Sequence, residues 1–213
     1  MERPRLLELH VAAEPEAWRA AGFTVEPDPP SRCRIGTTDL VLAGGEGGIV
    51  GWTLAAAIPA GDGIDGLPTR VGDAGVARDP APAHPNGISA IDHVVVTTPD
   101  TARTFEALEA AGFELRRVRD AGTPQRPLRQ GFLLLAEALV EVVGPPEPED
   151  DAAARPATFW GLTLVAEDLD ATVAALGERT GPARAAVQPG RRIAVVAREA
   201  GLGIPVAVMS PRV

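Results

Sequence analysis

Residues 91–100 read IDHVVVTTPD, a histidine set in a β-branched run just before a Thr-Pro-Asp step. The β-branched content reads as a strand over 90–98. The stretch TPDTARTFEALEAAGF (98–113) then reads as a helix. Thr98 or Asp100 caps it, Phe105, Leu108 and Ala111 form an apolar stripe, and Gly112 stops it. Next, ELRRVRDAG reads as a strand of mixed polarity, and PLRQGFLLLAEALVEVVGPP (127–146) as two strands joined by a tight turn near Ala136 and Glu137. The whole is a βαβββ unit.

That unit recurs. FWGLTLV (159–165) reads as a strand, DLDATVAALGERTG (168–181) as a capped amphipathic helix, and the text through MSP as three further strands. The phrase PLRQGF (127–132) lies over PGRRIA (189–194). Near the N-terminus, LLELHVAA (6–13), EPEAWRAAGF (14–23) and RCRIGTTDLVLAGG (32–45) give a strand, a short helix and two strands, a degenerate copy whose AAGF repeats at 110–113. GWTLA (51–55) resembles GLTLV (161–165), as though a fourth copy began there. Between them, residues 57–87 are dense in Gly, Pro and Asp without periodicity and read as a surface linker or extended wrap. The expected organisation is a degenerate N-terminal βαβββ-like unit (1–56), a linker (57–87), and a domain over 88–213 made of units 88–146 and 157–211.

Composition narrows the function classes. Hydrophobic residues make up 45% and charged residues 23% of the 213, enough for a folded core. The formal net charge of −9 repels a phosphate backbone, and 4% aromatics with no Tyr give no base-stacking platform, so nucleic acid is not an expected partner. No apolar run approaches the length of a membrane span, so a membrane partner is not expected either. A lone cysteine, Cys33, forms no internal disulfide and fits a reducing compartment, so the expected location is the cytoplasm.

Carried by IDHVVVTTPD, EALEAAGFEL, LVEVVGPP and FWGLTLVAEDLD, the sequence resembles the vicinal oxygen chelate superfamily of glyoxalase, bleomycin-resistance and extradiol dioxygenase proteins, and within it a glyoxalase-like protein. The resemblance covers 88–211 well and 6–56 weakly. It implies an α+β fold in which paired βαβββ units form a cupped mixed sheet. It also implies metal ligands on the first and last strands of each unit, which fall here on His93 and Glu141. The same positions in the second unit are Gly161 and Ala207, which offer no side-chain ligand. In the N-terminal copy His10 takes the histidine position and Leu42 the glutamate position.

Residue chemistry leaves two readings of this pair open. A carboxylate among apolar strand residues is costly to bury unless it is paired, hydrogen-bonded or metal-bound. Imidazole with carboxylate suits Zn, Fe, Mn, Ni or Co, with water, substrate or a third side chain completing the site. The other reading is a direct imidazolium–carboxylate hydrogen bond, a remnant of an ancestral site. For His10, the two readings are an ordinary strand histidine and a third ligand. Arg129 and Gln130 open a strand expected to line the cup, as do Arg191 and Arg192, and alternation turns one Arg of each pair inward toward a substrate anion. The other fate of these arginines is a solvated strand edge. Trp160 and Phe132 either wall an apolar pocket or pack in the core. Cys33 reads as a small buried hydrophobe.

Three functions follow as expectations. The first is a metal-dependent isomerase, lyase or dioxygenase, using a divalent ion at His93 and Glu141 to polarise vicinal oxygens of a small substrate. The second is a metal-free small-molecule binding protein of the drug-sequestering, bleomycin-resistance type. The third is an assembly module forming a homodimer, which is compatible with either.

Overall fold

The computed structural model describes residues 3–45, 47–55, 63–73, 75 and 81–212. The chain divides into two compact units: Met1–Leu7, Gly51–Ala77 and His93–Trp160 in the first, and Glu8–Val50, Arg78–Asp92 and Gly161–Val213 in the second.

In the chain order β1 (Arg5–Ala12), α1 (Pro15–Ala20), β2 (Ser31–Ile35), β3 (Thr38–Leu42), the N-terminal copy keeps one short helix and three strands. Strand β1 runs parallel to β3, with Leu9 opposite Leu40. Trp18 of α1 is fully buried and its ring lies 4.9 Å from that of Phe23. Glu14 makes no side-chain cap to α1, and Pro15 opens it. A helix of six residues has little intrinsic stability. Packing of Trp18 therefore holds it in place.

The expected βαβββ unit forms as β6 (Ile88–Thr97), α2 (Thr101–Ala110), β7 (Glu114–Thr123), β8 (Arg126–Leu134) and β9 (Leu139–Gly144). Strands follow one another in the order β6-β9-β8-β7, with β6 parallel to β9. Of the two candidate caps, Asp100 accepts from the Arg103 backbone N–H at 3.0 Å, while Thr98 braces Asp100 itself. Val94, Val96, Val140 and Val142 are fully buried together with Leu108 of α2. A parallel pair covered by a helix needs this continuous aliphatic face. The turn expected near Ala136 closes by a Leu135 N–H to Ala138 carbonyl bond of 3.0 Å.

The C-terminal copy is β10 (Thr158–Ala166), α3 (Leu169–Leu176), β11 (Arg184–Ala185), β12 (Arg192–Val195) and β13 (Val206–Met209), in the order β11-β12-β13-β10. Asp168 caps α3 by accepting from Asp170 and Ala171 N–H groups. Strand β10 is parallel to β13, with Thr163 opposite Ala207.

At 51–55, where the sequence suggests the start of a fourth copy, the described residues form a parallel strand pair. Strand β4 (Gly48–Ala55) pairs in parallel with β5 (Thr69–Val71), Trp52 opposite Thr69. Each copy is thus recognisable by the same parallel bond between its first and last strand. The 57–87 stretch read as a linker therefore contains a strand, and its Ile64, Leu67, His84 and Asn86 are buried. Within it, residues 57–62, 74 and 76–80 lie outside the described residues. Asp65 is anchored by Arg103 at 2.7 Å and by the Thr104 hydroxyl, tying this stretch to the start of α2. A three-residue strand has no periodicity to read, which is why the sequence conceals it. No helix among the described residues is long and apolar enough to cross a membrane.

Candidate active site

Strands β6 and β9 lie side by side with His93 opposite Leu139 and Val95 opposite Glu141. Because the intervening valines turn to α2, the side chains of His93 and Glu141 emerge together on the other face. His93 Nε2 and Glu141 Oε2 are 3.0 Å apart, with the two side chains only 8% and 13% exposed. The other oxygen of Glu141 is also held, because Gln130 Nε2 donates to Oε1 at 2.7 Å. Arg119 Nε in turn donates to Gln130 Oε1 at 2.7 Å. The Arg119 guanidinium sits 5.6 Å from the centroid of the Phe132 ring, the residue opposite Glu141 across β8 and β9. Four polar side chains on four neighbouring strands thus form one chain of contacts.

Gln130 is the member of its pair that faces Glu141. Arg129 does not turn inward as alternation allowed: its Nε binds Asp120 at 3.0 Å and its Nη1 the Pro146 carbonyl at 3.0 Å, on the opposite face. Arg191 is buried, where it forms an ion pair with Asp92 at 2.7 Å and donates to the Ser210 carbonyl. Arg192 binds the exposed Asp170 at 2.7 Å. Trp160 is 54% exposed, whereas its neighbour Phe159 packs edge-on to Trp52 at 5.0 Å. The stretch ELRRVRDAG carries three arginines and no sequence signal that singles out Arg119.

The other histidines stand elsewhere. His10 is in register with Val41, and its Nε2 lies 3.5 Å from Glu8 on its own strand. Leu42 is paired with Val11, so His10 and Leu42 occupy opposite faces and form no ligand pair. His84 Nδ1 accepts from the Thr24 N–H and its Nε2 meets the Arg34 carbonyl, both at 3.0 Å, which makes it an Nε2–H imidazole with both nitrogens satisfied. Burial pushes its pKa below the usual 6.5, against the opposing pull of the Arg34 carbonyl. Cys33 is fully buried, and burial followed by the charge of Asp39 pushes its thiol up to about 12, far from a nucleophile's range.

As a holder of a divalent ion, the site offers two donors. Two ligands bound to one ion at about 2.1 Å stand roughly 3.0–3.4 Å apart when adjacent in octahedral or tetrahedral geometry. The 3.0 Å between Nε2 and Oε2 matches this spacing. Among the described residues no group of three His, Cys, Asp or Glu side chains converges on one point. The pair therefore suits an open site with two protein ligands and does not suit a closed, structural one.

The sequence matches no family model and no curated protein. Among solved structures, a triple mutant of 4-hydroxymandelate synthase from Streptomyces coelicolor is similar with a TM-score of 0.66 and 12% identity, over 98% of this chain and 92% of that one. Methylmalonyl-CoA epimerase from Mycobacterium tuberculosis is similar with a TM-score of 0.45 and 18% identity, over 60% of this chain and 91% of that one. At such identities the first likeness speaks to fold, and it agrees with the repeated βαβββ units found here.

Proposed function

We propose that this chain, which carries the α+β vicinal oxygen chelate fold, is a small-molecule enzyme with its reaction centre at His93 and Glu141. The observation that carries the reading is the convergence of Nε2 and Oε2 at 3.0 Å on one face. His93, as neutral imidazole, and Glu141, as carboxylate, hold a divalent ion of the Zn, Fe, Mn, Ni or Co class. Bound there, such an ion supplies Lewis-acid polarisation of a substrate's vicinal oxygens. The chain's own part is to present two ligands and leave the remaining positions open to water and substrate. Gln130, which already donates to Glu141, lines the same face. Isomerase, lyase and dioxygenase reactions share this polarising step.

The test is metal stoichiometry. Protein purified without chelator should carry or take up about one ion per chain, and both H93A and E141A should lose it while staying folded. Wild-type protein that neither retains nor rebinds an ion overturns the proposal and leaves a hydrogen-bonded imidazole–carboxylate pair.

A further inference from the structure

We propose that Arg119 and Gln130 are positioning residues for the Glu141 carboxylate, holding Oε1 so that Oε2 alone is presented to His93 and to any ion the pair takes. The proposal rests on the reading of His93 and Glu141 as the functional pair.

The chemistry of the three groups fixes the direction of every bond. A guanidinium only donates and a carboxylate only accepts. The Gln130 amide between them must therefore turn its oxygen to Arg119 and its NH2 to Glu141, and the two 2.7 Å bonds have that arrangement. Flipping the amide sets donors against donors and acceptors against acceptors. Without Arg119 the carboxylate still calls for the NH2, but Gln130 Oε1 loses the guanidinium that donates to it and the amide is anchored at one end only.

Register explains how Arg119 arrives there. Leu115 pairs with Leu133, but Arg117 pairs with Phe132, a shift of one residue across Arg116. Carried on without that shift, the ladder sets Val118 opposite Gln130. With it, Arg119 stands opposite Gln130 and Arg117 opposite Phe132. A β-bulge re-aims the side chains that follow it. Stacking on Phe132 keeps the guanidinium from swinging into solvent.

With Oε1 engaged by Gln130, Oε2 is the oxygen that Glu141 would offer to an ion held with His93.

Two measurements on the full chain decide the matter. In the ion-free protein, the side-chain amide protons of Gln130 should exchange slowly by NMR, and R119M should bring them to the rate of an exposed glutamine. Calorimetric titration with Co²⁺ should show R119M and Q130L binding about 10–100-fold more weakly than wild type, as expected of lost outer-shell partners. R119K, which keeps a donor without the planar stack, should recover part of that loss. Wild-type Gln130 amide protons exchanging like those of an exposed glutamine overturn the proposal, as does Co²⁺ affinity unchanged in R119M and Q130L. If the wild type takes up no ion, the metal reading fails by itself and the amide exchange alone decides this one.

Discussion

Two of the three histidines show how environment divides one residue type into different roles. His93 shares a sheet face with a carboxylate and two further polar side chains, whereas the two ring nitrogens of His84 are bound to backbone groups. That difference has a pH signature. His84 has a folded pKa lowered from 6.5 by burial, so the unfolded chain takes up a proton that the folded chain resists. The stability His84 contributes is complete above pH 6.5 and is lost as pH falls from there toward the folded value. Urea unfolding midpoints should therefore decline between pH 7.5 and 5. In H84Q, whose amide can still donate and accept, the decline should be shallower. An identical slope in the variant would show that other groups carry the dependence.

At the scale of elements, packing imposes identities that alternation leaves open. Gly131 in β8 lies against the Phe105 ring of α2, and a Cβ there would stand 2.2 Å from Phe105 Cε1. G131A should cost about 1–3 kcal/mol by overpacking, read as a lower denaturation midpoint. The double variant G131A/F105L should regain part of it. No recovery would mean that the strain lies in the backbone. Helices and long strands of the central unit were legible because Val94, Val96, Val140 and Val142 repeat with the strand period and Phe105 and Leu108 with the helical one. Strand β5 was not, since Thr69–Val71 is too short to show a period. Which residue of the Arg129–Gln130 pair faces Glu141 was also hidden. Period-2 alternation says only that the two differ, and long-range register assigns the faces. The same limit concealed Arg119, which owes its place to a bulge.

Among the described residues four first-to-last strand pairs run parallel, and one of them alone carries a His and a Glu at the two ligand positions. The loss elsewhere lies deeper than a change of side chain. At the position matching His93, the C-terminal copy has Gly161, whose added Cβ would stand 2.4 Å from the Pro205 carbonyl oxygen. That oxygen already accepts the Leu162 N–H at 3.0 Å. The β4–β5 pair repeats the device, with Gly51 against the Pro68 carbonyl and the Trp52 N–H bound to it. A strand pair drawn this close has no room for a side chain at the ligand position, so the site cannot be copied by restoring its two residues. The double variant G161H/A207E should accordingly gain no second ion in a Co²⁺ titration and should unfold at lower denaturant than wild type. A207E alone, with Ala207 half-buried, should be milder than G161H alone. A second ion bound by the double variant at wild-type stability would show that β13 yields where Pro205 now blocks, and that the asymmetry between the copies is one of side chains only.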